Sequence, residues 1–353
     1  MNTLQLKRTI DFKLPMAVLD QSLTPDGLIA ACMDGVYFVR FADKSHQKID
    51  QHESYVSSVR VVAGGARAIS AGYDGALHWH DLRQPRRERR LQLHEFWSWD
   101  MRVAPNEKWL ASVTGQYLAG GYKYEPQAER EPSVRVVDVE SGELLQALPH
   151  VPSVQAVACS PDSQFVAAGN LMGEVRVWNV DSGELVADWT TPDFTSWGII
   201  KSHCYLGGVF ALEFTPDGAD LLLAGMGPMR DPMAGNGRQL WQRWRWRDEP
   251  PRKISETKKD QAGEGLMETL AFHPSGEYFA MGGRLRGGAW NLGLFSLESG
   301  DLIGSLKTGY RVTEAQFTPD GRRLVLVGTQ GQPSKHEQGR FPDFGRVEVY
   351  EIS

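Results

Sequence analysis

The stretch SPDSQFVAAGNLMGEVRVWNVDSGE, from Ser160 to Glu184, places tight turns between segments of small and apolar residues. In its first turn, SPDS, proline fixes one backbone dihedral and aspartate hydrogen-bonds its own backbone, which favours a β-turn. The segment VRVWNV, Val175 to Val180, alternates along the chain and carries β-branched and aromatic side chains, a pattern typical of a strand. The stretch therefore predicts an antiparallel β unit.

The same unit recurs along the chain, and its first turn marks each copy. These turns are TPDG at Thr24–Gly27, AGGA at Ala63–Ala66, APNE at Ala104–Glu107, SPDS at Ser160–Ser163, TPDG at Thr215–Gly218, HPSG at His273–Gly276 and TPDG at Thr318–Gly321. Successive turns begin 39, 41, 56, 55, 58 and 45 residues apart. A repeat of about 40–45 residues is typical of four-stranded propeller blades, so the longer spacings indicate loop insertions.

Seven units predict an all-β chain folded as a seven-bladed β-propeller of four-stranded antiparallel blades, one domain over residues 1–353. We expect the blades at residues 17–50, 55–93, 97–149, 153–192, 208–258, 266–309 and 311–353. The last unit holds only three strands, so we expect residues 4–12 to supply its fourth. Such closure removes exposed sheet edges, and it favours a monomer.

The chain resembles the WD-repeat family, whose blades join a His, a Ser, an Asp and a Trp in a structural hydrogen-bonded network. The second blade resembles this pattern best, although His80 stands in the place of the Trp. His94 fits the first position of the third blade. The resemblance implies structural roles for His52, Ser70, Asp74, His150 and Trp178. The style of the turns looks like that of bacterial members.

Five long segments are expected on one face of the ring, the face of the connections between blades and of the turns between second and third strands. We call it the top face. The segments span Gly115–Pro132, Thr190–Gly208, Gly225–Gly237, Gly282–Gly288 and Gly328–Gly345. Aromatic residues, Met and Arg are enriched at binding hot spots, and long loops often carry function. We therefore predict binding by Tyr117, Tyr122, Tyr124, Trp197, Tyr205, Met229, Arg230, Arg284, Arg286, Phe341 and Phe344. The alternative is that these loops only pack on one another.

Bulk composition narrows the class of partner. The net charge of −6 argues against a general nucleic-acid binder, which usually has a basic surface. Three scattered cysteines, no signal-peptide pattern and no apolar run long enough for a membrane span favour a cytoplasmic protein that binds neither nucleic acid nor membrane. We expect no cofactor.

Three functional hypotheses follow, and the first is favoured. The top face engages a protein or peptide partner without catalysis. Alternatively, the chain is a metal-dependent hydrolase or lactonase-like propeller, or it binds a small molecule. His78 and His80 share one side of a strand, but no third ligand stands at a telling distance, so we expect no metal site and partly exposed histidines.

Overall fold

The computed structural model describes residues 3–116, 128–194, 208–231, 236–284, 287–331, 333–335 and 341–353. In these residues, twenty-eight strands form seven antiparallel sheets of four strands each. The all-β, seven-bladed propeller predicted from the repeats is confirmed. No helix among the described residues combines the length and apolar character that crossing a bilayer requires.

Blades 1 to 6 are meanders whose four strands follow one another in sequence. Blade 1 contains β2 (Val18–Thr24), β3 (Gly27–Cys32), β4 (Gly35–Arg40) and β5 (His46–Asp50). Blade 2 contains β6 (Val56–Val62), β7 (Arg67–Gly72), β8 (Ala76–Asp81) and β9 (Arg86–Gln92). Blade 3 contains β10 (Ser98–Val103), β11 (Trp109–Thr114), β12 (Val134–Asp138) and β13 (Leu144–Leu148). Blade 4 contains β14 (Val154–Cys159), β15 (Phe165–Asn170), β16 (Glu174–Asn179) and β17 (Leu185–Thr190).

The remaining three blades complete the ring. Blade 5 contains β18 (Val209–Phe214), β19 (Leu221–Asp231), β20 (Asn236–Arg245) and β21 (Arg252–Glu256). Blade 6 contains β22 (Met267–Phe272), β23 (Tyr278–Gly283), β24 (Leu292–Ser296) and β25 (Leu302–Leu306). Blade 7 contains β26 (Arg311–Phe317), β27 (Arg323–Thr329), β28 (Gly345–Ile352) and β1 (Leu6–Leu14). Two short 3-10 helices span Ala63–Gly65 and Pro192–Phe194.

The ring closes through both ends of the described chain. β1 pairs antiparallel with β28, from Leu6 opposite Ile352 to Leu14 opposite Gly345. The first strand of blade 1, β2, also packs against β26 of blade 7. The prediction that an N-terminal strand completes the last blade is therefore confirmed.

Apolar side chains fill the spaces between neighbouring blades. Trp109 of blade 3 and Trp178 of blade 4, for example, lie in one buried cluster with Val166. The Trp109 indole N–H donates to the backbone carbonyl of Ser163 at 3.1 Å, so its polar end is satisfied across the blade boundary. These interfaces hold the seven first strands around a central channel.

The insertion of blade 5 differs from the expected loop. The ladder between β19 and β20 continues into it, with Met229 opposite Gly237 and Asp231 opposite Asn236. The register shifts on either side of Met229, and the pairing resumes after each shift. The two strands therefore form a longer hairpin.

Candidate functional site

Every first strand carries a β-bulge near its top-face end. The register shift leaves one residue per blade without a ladder partner. These seven residues are Leu19, Ser57, Trp99, Gln155, Phe210, Glu268 and Thr313. All of them line one cavity of about 200 Å³ in the central channel. The repeated bulge therefore places seven side chains, one from each blade and of different types, in a ring around the channel.

Four aromatic rings stand together at the mouth of this channel, and we call them the aromatic wall: Tyr55, Tyr73, Trp97 and Trp99. The Tyr73 ring stacks on Trp97 at 5.4 Å and on Trp99 at 5.3 Å between ring centroids. Tyr55 lies 5.8 Å from Tyr73 and is 43% exposed, and Trp97 is 45% exposed. Tyr73 lies in the β7–β8 turn, so the wall belongs to the top face. Stacked, half-exposed aromatic rings are the type of surface that anchors a partner.

An ion pair lines the same cavity. Arg311 donates through Nε to Glu268 Oε2 at 2.5 Å, and its Nη2 bonds the other carboxylate oxygen. The Arg311 side chain keeps 35% of its surface exposed, and the Glu268 side chain 10%. A two-point pair of this kind fixes both side chains and leaves little net charge at this position.

Two aspartates tie neighbouring blades together around the channel. Asp20 accepts the backbone N–H of Val59 at 2.8 Å and the Arg60 guanidinium at 2.5 Å. Asp100, at the matching position of blade 3, accepts the N–H of Val157 in blade 4 at 3.1 Å. The same residue type after the same bulge thus links blade 1 to 2 and blade 3 to 4.

The carboxyl groups lower in the channel have few positively charged groups close to them. Burial raises the pKa of Asp100 to about 6, against the opposing effect of Arg60. Burial likewise raises the pKa of Glu213 to about 8, and that of Glu314 well above its usual range. Arg102 approaches Asp100 at 3.5 Å and Glu314 at 3.7 Å, which are long distances for ion pairs.

A polar network crosses the top of blade 2. His52 places Nε2 2.8 Å from Ser70 Oγ and Nδ1 3.0 Å from Asp74 Oδ1. Ser70 Oγ also lies 2.8 Å from His80 Nε2. Asp74 accepts the backbone N–H of Glu53, and although burial opposes it, the contact with His52 holds the pKa of Asp74 at about 2. The structure thus joins His52, Ser70 and Asp74, with His80 at the far end.

The expectation that His78 and His80 are partly exposed is wrong, because both are buried between strands. His78 Nδ1 lies 2.6 Å from Asp50 Oδ2, and its ring stacks on His52 at 3.7 Å with an interplanar angle of 13°. Ligand atoms of His52, Asp74 and His78 lie within 4.8 Å of one another. Imidazole lone pairs lie in the ring plane, so two stacked rings do not aim at one ion. The group fits a structural network and not a metal centre.

Blade 3 builds a related network that sequence reasoning missed in part. His94 Nε2 lies 3.0 Å from Ser112 Oγ. Glu131, beyond the insertion, accepts the backbone N–H groups of Glu95 and Phe96 at 3.0 Å each. The available signal was spacing, because His94 and Ser112 are 18 residues apart, as His52 and Ser70 are.

Blade 4 satisfies its histidine differently. His150 Nδ1 accepts the N–H of Val151 at 2.7 Å, and Nε2 lies 3.3 Å from the Ala168 carbonyl oxygen. The Trp178 ring packs edge-on against His150, with ring centroids 5.9 Å apart. Asn170 organises the turn, because its Oδ1 accepts the N–H groups of Met172 and Glu174.

The predicted binding residues fall into three groups. Those outside the described residues are Tyr117, Tyr122, Tyr124, Trp197, Tyr205 and Arg286. The backbone of Met229 and Arg230 lies in β19. Phe341 is partly buried, Arg284 is exposed and Phe344 is buried.

The structure brings two of the predicted binding residues together. Arg284 and Phe344 line a second top-face cavity of about 540 Å³. This cavity shares Leu19 and Arg311 with the channel cavity, so the two cavities are adjacent. The binding prediction for these residues remains a prediction, now joined to a defined groove.

The fold and the channel define the class of protein: a closed seven-bladed propeller with a polar channel that opens beside aromatic residues on one face. The family model for the WD domain, G-beta repeat, matches residues 142–179, from the hairpin of blade 3 through β16. This match and the ring of seven four-stranded sheets together support a WD-repeat β-propeller. No curated protein matches it.

Proposed function

We propose that the protein is a non-catalytic platform that holds a protein or peptide partner on its top face. The observation that carries this proposal is the aromatic wall, which leaves Tyr55 and Trp97 nearly half exposed beside a cavity. WD-repeat propellers are commonly protein-interaction scaffolds, which supports the same reading. Burying an aromatic side chain at an interface contributes roughly 1.5–3 kcal/mol, so a few rings suffice for a hot spot.

The proposal extends to the setting of the protein. We propose a cytoplasmic monomer that binds neither nucleic acid nor membrane and needs no cofactor. The acidic balance of the chain supports the nucleic-acid part, since a continuous basic surface is the usual footprint of a nucleic-acid binder.

The hydrolase alternative is less well supported by the described residues. The described residues that line the channel cavity include aspartate, glutamate and arginine but no histidine. The histidine group of blade 2 is engaged in hydrogen bonds and a ring stack. Small-molecule binding has the channel cavity in its favour, and the ligand-binding experiment below addresses it.

A peptide-display selection on the immobilised protein tests the proposal. Selected peptides are titrated against the wild type, Trp97→Ala and Leu145→Ala. The two side chains are equally exposed, at 45% each, but Leu145 lies on the outer strand β13, so it serves as the matched control. We expect Trp97→Ala to weaken binding at least about tenfold, a difference of about 1.4 kcal/mol. Peptides that depend on Leu145 and ignore Trp97 would contradict the proposal.

A further inference from the structure

The charges inside the channel do not balance. Besides the ion pair of Glu268 and Arg311, four carboxyl groups face it, from Asp20, Asp100, Glu213 and Glu314, and only two further guanidinium groups, from Arg60 and Arg102, stand among them. Arg60 is committed to Asp20, and Arg102 is shared between two carboxylates at 3.5 and 3.7 Å. The carboxyl group of Glu213 forms no hydrogen bond or ion pair with another described residue. The channel thus holds acceptor capacity that its own arginines leave unused.

The wall above these carboxylates suits a positive charge. Trp99 and Tyr73 line the same cavity as Asp100 and Glu314. Aromatic faces attract cations through their quadrupoles, and the attraction is stronger where water is displaced. A ligand that enters from the top face therefore passes between aromatic rings and meets carboxyl groups beneath them.

We propose that the channel cavity binds an organic cation, a guanidinium or ammonium group on an alkyl stem, held by Asp100 and Glu314 and flanked by Trp99 and Tyr73. Where that group is a side chain of a bound peptide, the inference rests on the proposed function. A free small cation offers the same chemistry from a second source, and the experiment separates the two.

Protons bound to the channel carboxyl groups already neutralise part of the negative charge that such a cation would neutralise. The groups that face Glu213 are Arg60, Asp100 and Cys159, and those that face Glu314 include Asp20 and Arg102. Because burial raises the pKa of Glu213 to about 8 and that of Asp100 to about 6, the excess negative charge is reduced at neutral pH. Binding of a cation releases protons, so affinity rises with pH between these values, by up to about tenfold per pH unit for each proton released.

Isothermal titration of the full chain with three small probes tests the proposal: N-acetyl-arginine amide, N-acetyl-lysine amide and the neutral isostere N-acetyl-citrulline amide. We expect at least one cationic probe to bind and citrulline amide to bind at least about tenfold more weakly. Affinity at pH 8.5 should exceed that at pH 5.5 by at least about tenfold.

Variants locate the site. Glu314→Gln and Trp99→Leu should each weaken the cationic probe at least about tenfold, while Glu184→Gln, in a hairpin of blade 4 away from the cavity, should leave it unchanged. Thermal melts show whether each variant remains folded. Equal binding of arginine and citrulline amides, or an affinity that does not change with pH, would overturn the inference.

The two proposals fail separately. If selected peptides need Trp97 but keep their affinity when their basic residues are replaced by citrulline or norleucine, and no cationic probe binds better than citrulline amide, the cation inference is wrong and the platform proposal stands. If the cationic probes bind and no selected peptide depends on Trp97, the channel is a small-cation site and the platform proposal is wrong.

Discussion

Blades 2 and 4 solve the same structural problem with different chemistry. Blade 2 uses the carboxylate of Asp74 at the third position of its top turn, bound to His52. Blade 4 uses the amide of Asn170 at the first position of that turn. Gly72 occupies the corresponding first position in blade 2, where a Cβ would come within 2.5 Å of His52 Nδ1.

The two arrangements exclude each other. A side chain at residue 72 would occupy the space that the contact between His52 and Asp74 needs. The family match covers β13 of blade 3 and β14 to β16 of blade 4, with Trp178, and no part of blade 2, although blade 2 has the fuller His, Ser and Asp set. The polar network therefore varies from blade to blade.

Removing the turn carboxylate should have the largest effect. Asp74→Ala leaves His52 and the N–H groups of Glu53 and Ala76 without their acceptor. We expect a loss of about 3 kcal/mol in the free energy of unfolding, since hydrogen bonds to a buried charged group contribute about 1.5–3 kcal/mol and orphaned partners add to this. Asn170→Ala, the blade 4 counterpart, should cost about half as much. Urea denaturation measures both, and equal losses would contradict the comparison.

Blade 3 tests whether a carboxylate beyond an insertion does the work of Asp74. Glu131→Ala removes the acceptor of the Glu95 and Phe96 N–H groups and the partner of Arg135 at 3.0 Å. We expect a loss of about 2 kcal/mol in the free energy of unfolding. Glu129→Ala, a neighbouring carboxylate that accepts the N–H groups of Ser133 and His150, is the control with a smaller expected loss. If Glu131→Ala left the free energy of unfolding unchanged, the insertion would not depend on this network.

The histidine of blade 2 that replaces Trp should make the protein sensitive to acid. Burial lowers the pKa of His80 from 6.5 to about 3. Between these pH values His80 is therefore protonated in the unfolded chain and neutral in the folded chain. Stability is therefore present above pH 6.5 and is lost as pH falls towards 3, at up to about 1.4 kcal/mol per pH unit. His80→Trp, which introduces the residue type of Trp178 in blade 4, removes one titrating group. The slope of the free energy of unfolding against pH should therefore fall by the contribution of one proton. Urea midpoints between pH 7 and pH 4 check it, and an unchanged slope would refute it.

The smallest expected effect lies in the channel and has the opposite pH dependence. Because burial raises the pKa of Glu213 from 4.5 to about 8, the folded state holds its proton more tightly than the unfolded state. This stabilisation is full below pH 4.5 and is lost as pH rises through about 8. Glu213→Gln should therefore be more stable than the wild type at pH 9, and the advantage should shrink towards pH 5. Because Glu213 is only partly buried, solvent screening reduces the full linkage effect, and we expect an advantage of at least about 1 kcal/mol. Thermal melts at the two pH values measure it.

The fold could be predicted from the sequence because turns such as TPDG act locally and recur, and one strand pattern follows each turn. The network of blade 3 was only partly predictable, since the insertion separates Glu131 from Ser112 by residues of no fixed spacing. Burial of His78 depends on packing against His52 and Asp50, which belong to neighbouring segments that only the fold brings together.

The aromatic wall was missed for a related reason. Tyr55 and Tyr73 come from blade 2, whereas Trp97 and Trp99 come from the connection to blade 3 and its first strand. No period links these positions, and none of them lies in one of the long insertions. The bulge that exposes Trp99 to the channel is likewise invisible in the sequence, because the ladder partner decides which residue is left unpaired.

The pairing of β1 with β28 has a consequence for synthesis on the ribosome. Leu6–Leu14 emerges well before its partner, and at about 5–20 residues per second the interval is on the order of tens of seconds. Throughout that time β1 is a nascent strand without a neighbour, exposed to other chains. Lys7, Arg8, Asp11 and Lys13 give it four charges in nine residues. Charged side chains on an edge strand disfavour its pairing with strands of other chains. The charges of β1 should therefore limit its aggregation until β28 is available.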